Sequence, residues 1–229
     1  MTDFNYKQFL IKEGVYDPGI FKAYFLAGGP GSGKTFVTQS AFAGLGLKLV
    51  NSDSIFEKYL KDAGLSLKMP DSEKSLRDPL RQKAKIKTGA RLDLYLKGRL
   101  GIIIDSTARD TQKIIRQQKI LKILGYDTYM IFVNTSLDVA LARNKARERS
   151  VPEYVTISSH KQIQNSMGLL QKSFSPGNFY VIDNNRSEKE LVTQTLKTAS
   201  SIIRRTYTAP PKSHIAKAWI KSQLDTKKR

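Results

Sequence analysis

The chain has 229 residues, with 39 Lys and Arg against 20 Asp and Glu, a formal net charge of +19 and a hydrophobic fraction of 40%. The absence of cysteine excludes disulfides, thiolate metal sites and cysteine nucleophiles, and having only His160 and His214 excludes a multi-histidine metal centre. So basic a chain implies an anionic partner, nucleic acid first; with no apolar run of membrane-spanning length, a soluble, cytoplasmic protein is expected.

The N-terminal MTDFNYKQFLIKEG lacks the apolar centre of a signal peptide. Residues 1–21 read as a helical lead-in whose Phe4, Phe9 and Leu10 pack on a sheet edge. From residue 22, strand-like and helix-like stretches alternate, the pattern of a parallel sheet covered by helices. Strands are expected at 22–27, 47–50, 102–105, 128–133 and 179–182. Helices are expected at 34–42, 52–63, 111–124, 137–147, 156–173 and 188–205. Residues 64–75 read as irregular, and 76–100 as a long basic helix, broken near Gly89. After Pro210-Pro211 a basic tail follows, helical over 215–224, with Trp219 and its neighbours Ile215 and Ile220 able to dock it. Two stretches, 74–99 and 204–229, supply +14 of the +19.

The chemistry begins after the first strand, at Gly28-Gly29-Pro30-Gly31-Ser32-Gly33-Lys34-Thr35. This is G-x-x-x-x-G-K-[ST] between a strand and a helix. The glycines let backbone amides converge on a phosphate, Lys34 can reach the β/γ oxygens, and Thr35 can ligate Mg²⁺. Nucleoside triphosphate binding with Mg²⁺ follows from it. Asp53 lies just beyond the second strand, where ligands bind in open parallel sheets. It reads as a base for an attacking hydroxyl, or as a helix cap alongside Ser52. Asp105 ends an all-isoleucine strand and reads as a metal-side carboxylate. Thr107 beyond it can meet a ligand or open the next helix. Arg143 and Arg147 are four apart, so one helix face can carry both over the phosphates; taken alone, the pair reads better as a solvated basic helix end. His160 and His214 read as solvent-facing.

The P-loop, Asn51-Ser52-Asp53, Ile102-Ile103-Ile104-Asp105-Ser106-Thr107 and Arg143-Asn144-Lys145-Ala146-Arg147 with Val151-Pro152 occur in an order that resembles the P-loop kinases typified by phage polynucleotide 5′-kinase and the zeta toxins. The resemblance spans roughly residues 22–185. It implies a three-layer α/β P-loop fold with a five-stranded parallel sheet in the order 2-3-1-4-5 and a lid at 143–173; the kinase domain is expected over 22–205, with a basic helical insertion at 64–100 that is too long and basic for the polynucleotide kinase pattern, and a basic tail at 206–229. It also implies ATP as donor, Asp53 as general base and Arg143 and Arg147 as lid arginines. Asp183-Asn184-Asn185 is similar to a zeta-type strand end, which implies that Asn184 and Asn185 lie near the adenine. The chain departs from the polynucleotide kinase pattern at Phe56, where that family has an arginine for the acceptor's phosphate.

Three functions are therefore weighed: a kinase of a nucleic-acid or nucleotide hydroxyl; a zeta-toxin-like kinase of a UDP-amino sugar or other small molecule, which an Arg-poor acceptor side would suit; and a nucleic-acid or assembly-binding protein without useful transfer, using a flexible basic tail. The +19 favours a polyanionic acceptor.

Overall fold

In the computed structural model, residues 14–105, 110–185 and 189–227 are described. Residues 1–13 of the expected N-terminal lead-in and Thr107 lie outside these residues; the described part of the lead-in holds a short 3₁₀ turn at Gly14–Tyr16. Five strands, β1 (Lys22–Ala27), β2 (Lys48–Val50), β3 (Ile102–Asp105), β4 (Asp127–Asn134) and β5 (Phe179–Asp183), form one sheet in the order β2-β3-β1-β4-β5. Every neighbouring pair is parallel, with Leu26 level with Asp105 and Ile131. All six residues of β1 are buried, as befits a central strand covered on both faces. The expected strand order is the observed one.

The covering helices are α1 (Lys34–Ala41), α2 (Asp53–Asp62), α3 (Lys74–Lys97), α4 (Thr111–Ile123), α5 (Leu137–Ala146), α6 (Glu153–Phe174), α7 (Lys189–Thr208) and α8 (His214–Lys227). On one face, Ile114 and Leu121 of α4 join Ile163, Leu170 and Phe174 of α6 and Ala216 of α8 against Phe25, Met130 and Phe132. On the other, Val37 and Ala41 of α1 and Ala199 and Ile203 of α7 meet Tyr24, Leu26 and Ile131. A third cluster pins α3 to α2 through Ile55, Phe56, Leu60 and Ala84.

Three expectations are corrected. α3 runs unbroken through Gly89. Ala84 is fully buried on α2, and Leu92, Tyr95 and Leu96 pack on the main core. Those anchors on both sides of the glycine outweigh its helix cost of about 1 kcal/mol.

Second, α5 ends at Ala146, and Arg147 follows in extended conformation. Arg143 and Arg147 therefore do not share a helix face. The buried Asn144 side chain stops the helix: it donates to the Val151 carbonyl at 2.8 Å and accepts that residue's N–H at 3.2 Å, closing the intervening loop.

Third, the tail is not a loose arm over its described length. α8 docks on the sheet's N-terminal end, with Ala216 buried, Trp219 edge-on to Phe21 at 5.5 Å and Ile220 on the core. Beneath it, Lys22, fully buried, pairs with Asp127 at 2.8 Å, and both Asp127 oxygens accept the Lys212 N–H at 3.1–3.2 Å. No helix among the described residues is long and apolar enough to cross a membrane.

Candidate functional site

The chemistry-bearing residues converge at the opposite, C-terminal edge of the sheet. Gly31 and Gly33 sit at φ +78° and +90°, conformations that L side chains rarely adopt. A Cβ on Gly31 would collide with the Ala140 carbonyl oxygen, and one on Gly33 with the Asn184 amide. The loop is thus wedged between α5 and the end of β5. Lys34 folds back on it, donating to the Gly28 carbonyl at 2.7 Å and the Gly29 carbonyl at 3.2 Å. Burial pushes the Lys34 ammonium below its ordinary pKa, with Asp105 and Asp53 opposing. Ser32 Oγ is buried with no hydrogen-bond partner, and Thr35 is exposed in the first turn of α1.

Asp105 and Asp53 stand beside the loop on neighbouring strand ends, joined through Asn51. The Asn51 amide donates to Asp105 Oδ2 at 2.7 Å, and its carbonyl oxygen accepts the Asp53 N–H at 2.6 Å. Asp105 Oδ1 is buried and unpartnered. Burial pushes the Asp105 carboxyl up, Lys34 draws it down and the Asp53 charge adds to the rise. Ser52 is the N-cap residue of α2 but its side chain makes no capping hydrogen bond, and the carboxylate of Asp53, the helix's first residue, turns to other partners.

Those partners are two arginines outside the sequence reading. Arg81 of α3 donates to Asp53 Oδ1 at 2.7 Å, and Arg149, between α5 and α6, donates to Oδ2 at 2.9 Å. Burial alone would raise the Asp53 pKa, but the charges and hydrogen bonds of Arg149 and Arg81 outweigh it and hold the group below the usual carboxylate value. The Arg81 guanidinium also lies 4.5 Å from the ring centre of buried Phe56. The surroundings of Asp53 are therefore not Arg-poor: Phe56 is a core residue, and α3 brings the Arg81 guanidinium across it. Arg149 Nε lies 3.7 Å from Glu57 Oε2, one turn beyond Asp53.

Arg143 turns toward the P-loop and donates to the Asn184 carbonyl at 2.7 Å. Asn184, buried, donates its side-chain amide to the Ser32 carbonyl at 2.8 Å and its N–H to the Asn134 carbonyl at 2.9 Å. Asn185 accepts the Ser136 N–H. Both asparagines thus brace the loop and the β4 end. Arg147 is exposed, yet its charge reaches Lys34 and Asp105. His160 is not solvent-facing as expected: its Nε2 bonds the Thr135 carbonyl oxygen at 2.9 Å beside the P-loop.

Next to Asp105 opens a pocket of about 740 Å³, within the range of small-molecule sites. Val50, Ile104 and Ile114 line it with Lys85 and Gly89 of α3, Lys113 of α4 and Gln162 of α6. Asp110, also on its rim, is committed to capping α4 through the Lys113 N–H at 2.9 Å. Lys85 and Lys113, on facing helices, line it together with the Asp105 and Asp110 carboxylates. The sequence signal for Lys85 was the density of Lys and Arg over residues 74–99; Lys113 lies outside that stretch.

Residues 24–170 match the family model described as an AAA domain. No curated protein matches the chain. Among solved structures, a chain of the PezAT chromosomal toxin–antitoxin system of Streptococcus pneumoniae is similar at 17% identity and TM-score 0.54, covering 90% of this chain and 98% of that one. A chain of the AvrRxo1-ORF1:-ORF2 complex with ATP aligns at 12% identity and TM-score 0.55, over 92% of this chain and 87% of that one. Shikimate kinase from Bacteroides thetaiotaomicron aligns at 10% identity and TM-score 0.51, over 80% and 98% respectively. At these identities the likeness is one of fold.

Proposed function

The chain belongs to this AAA domain family, its fold is that of P-loop kinases, and from that premise we propose that it is an ATP-dependent kinase acting on a hydroxyl of a nucleotide, free or at the end of a nucleic acid. The observation that carries the proposal is one edge of the sheet holding a P-loop, the Asp53 carboxylate and a pocket that Lys85 and Lys113 enter, in succession. The loop amides from Gly28 to Gly33, with Pro30 and Ser32 between the glycines, cradle the donor's phosphates, and Lys34 exchanges the Gly28 and Gly29 carbonyls for phosphate oxygens. Asp53 orients the acceptor hydroxyl and takes its proton as the new O–P bond forms and the bond from γ-phosphorus to the ADP oxygen breaks. Arg143, Arg147 and Arg149 neutralise the charge on the transferring group. Asn184 and Asn185 border the base end of the donor.

The donor set also fits Mg²⁺: Asp105 Oδ1 is buried without a partner and Thr35 presents an exposed hydroxyl, both hard oxygen ligands. When bound there, the ion supplies charge neutralisation of the phosphate oxygens.

A second reading, transfer to a compact metabolite such as a UDP-amino sugar, is favoured by the small-molecule size of the pocket lined by α3, α4 and α6. The likeness of fold to a toxin–antitoxin component is compatible with it. The binding-only reading loses its flexible arm, because α8 is docked. Incubation with γ-labelled ATP and, in parallel, 5′-hydroxyl oligonucleotides, nucleosides, nucleoside monophosphates and UDP-amino sugars separates these. Label in an acceptor, lost in Asp53→Ala, is expected; ATP hydrolysis equal in wild type and Asp53→Ala, with no acceptor labelled, would overturn the proposal.

A further inference from the structure

Resting on the reading of Asp53 as base, we infer that its two oxygens have different jobs: Arg81 is a positioning residue that holds Oδ1 throughout, and Arg149 is a gate that covers Oδ2 until the donor arrives. A carboxylate with both oxygens in charge-assisted hydrogen bonds is a poor proton acceptor, so in the state seen here Asp53 is silent. One guanidinium has to leave before a hydroxyl can use it.

The surroundings make that choice unequal. Arg149 has a second carboxylate at hand, Glu57 Oε2 at 3.7 Å, which it can take by a side-chain shift. Its charge already reaches Lys34 in the P-loop, so triphosphate oxygens draw it the same way. It stands on a short connection between α5 and α6, held at one end by Asn144 and Val151. Arg81 has neither option. It projects from the middle of α3, a helix fixed to α2 through Ala84, and its guanidinium rests on the buried Phe56 ring at 4.5 Å. Among its described contacts, Asp53 is its carboxylate partner, and with its side chain 36% accessible it is the ring contact and the anchored helix, not burial, that hold it there. Arg81 therefore stays and fixes the carboxylate's orientation. Arg149 moves to Glu57 and the phosphates and bares Oδ2 for the acceptor. ATP binding thereby switches on the base, limiting loss of phosphoryl groups to water when the nucleotide site is incomplete.

The test follows the Asp53 side-chain carbon by ¹³C NMR in protein labelled at the aspartate carboxyl carbons, titrated with and without Mg²⁺ and the non-hydrolysable analogue AMP-PNP. Lys34 and Asp105 also face Asp53 electrostatically and are the same in every arm, as are the added phosphates. The expected result is an analogue-induced rise in the Asp53 midpoint that is larger in wild type than in Arg149→Gln. In Arg81→Gln the midpoint starts higher and still rises by the wild-type amount. Equal rises in wild type and Arg149→Gln overturn the gate, and a rise confined to Arg149-containing protein but abolished by Arg81→Gln overturns the division of labour. Turnover in Asp53→Asn matching wild type would instead sink the base reading, and the gate with it.

Discussion

The two stretches with most of the surplus charge, α3 and the C-terminal segment carrying α8, look alike in composition but meet opposite ends of the sheet. α3 lies along the C-terminal edge and points Arg81 at Asp53 and Lys85 into the pocket. α8 lies at the N-terminal end, where the one buried cation beneath it, Lys22, is matched by Asp127 and sealed by Trp219 against Phe21. At one end Lys22 and Asp127 satisfy each other; the other keeps an unpartnered Asp105 oxygen, an unpartnered Ser32 hydroxyl and lysines facing a cavity. Positive charge thus has two separate meanings in this chain: complementing a ligand beside the strand ends, and solvating a docked structural helix elsewhere.

The contrast can be broken most sharply at the functional end. Asp53→Ala should reduce phosphoryl transfer by about 10²–10⁴-fold while calorimetry with AMP-PNP shows retained nucleotide affinity. At the structural end, Asp127→Ala strands Lys22 and should cost about 3–5 kcal/mol in urea unfolding, with nucleotide affinity unchanged in the folded fraction. If Asp127→Ala instead altered catalysis without altering stability, the division between the two ends would fail. Lys85→Glu should weaken the acceptor's apparent affinity by about tenfold at low salt, an effect that shrinks as salt rises, because it places a negative charge on the pocket wall. The matching reversal on the exposed face of α8, Lys217→Glu, should leave transfer unaltered and stability within about 0.5 kcal/mol.

The parts legible in the sequence are those encoded locally. The P-loop sits in a strand–loop–helix context, and the isoleucine run ending in Asp105 is a buried strand with a polar terminus. The strand order was implied by the resemblance and is the one observed. The clasp on Asp53 joins residues 28 and 96 positions apart, and no local spacing encodes such a meeting. Arg143 and Arg147 were grouped by helical periodicity, which cannot register that the Asn144 side chain ends the helix between them. The tail did carry a signal: Ala216, Trp219 and Ile220 recur at helical spacing, the mark of a face that packs, and the expected docking through Trp219 and Ile220 is the one observed. Phe56 was conspicuous as a departure from a family pattern; it is a buried residue over which a second element, α3, lays the Arg81 guanidinium.

The central claim is that the edge holding Asp53 performs phosphoryl transfer. It is tested most directly by following label from γ-labelled ATP into the acceptor panel with wild type and Asp53→Ala side by side. Label should appear in an anionic hydroxyl compound or an oligonucleotide 5′ end with the wild type and fall by at least about a hundredfold with the variant. Equal labelling by the two proteins, or ATP consumed at equal rates with no acceptor labelled, would contradict it.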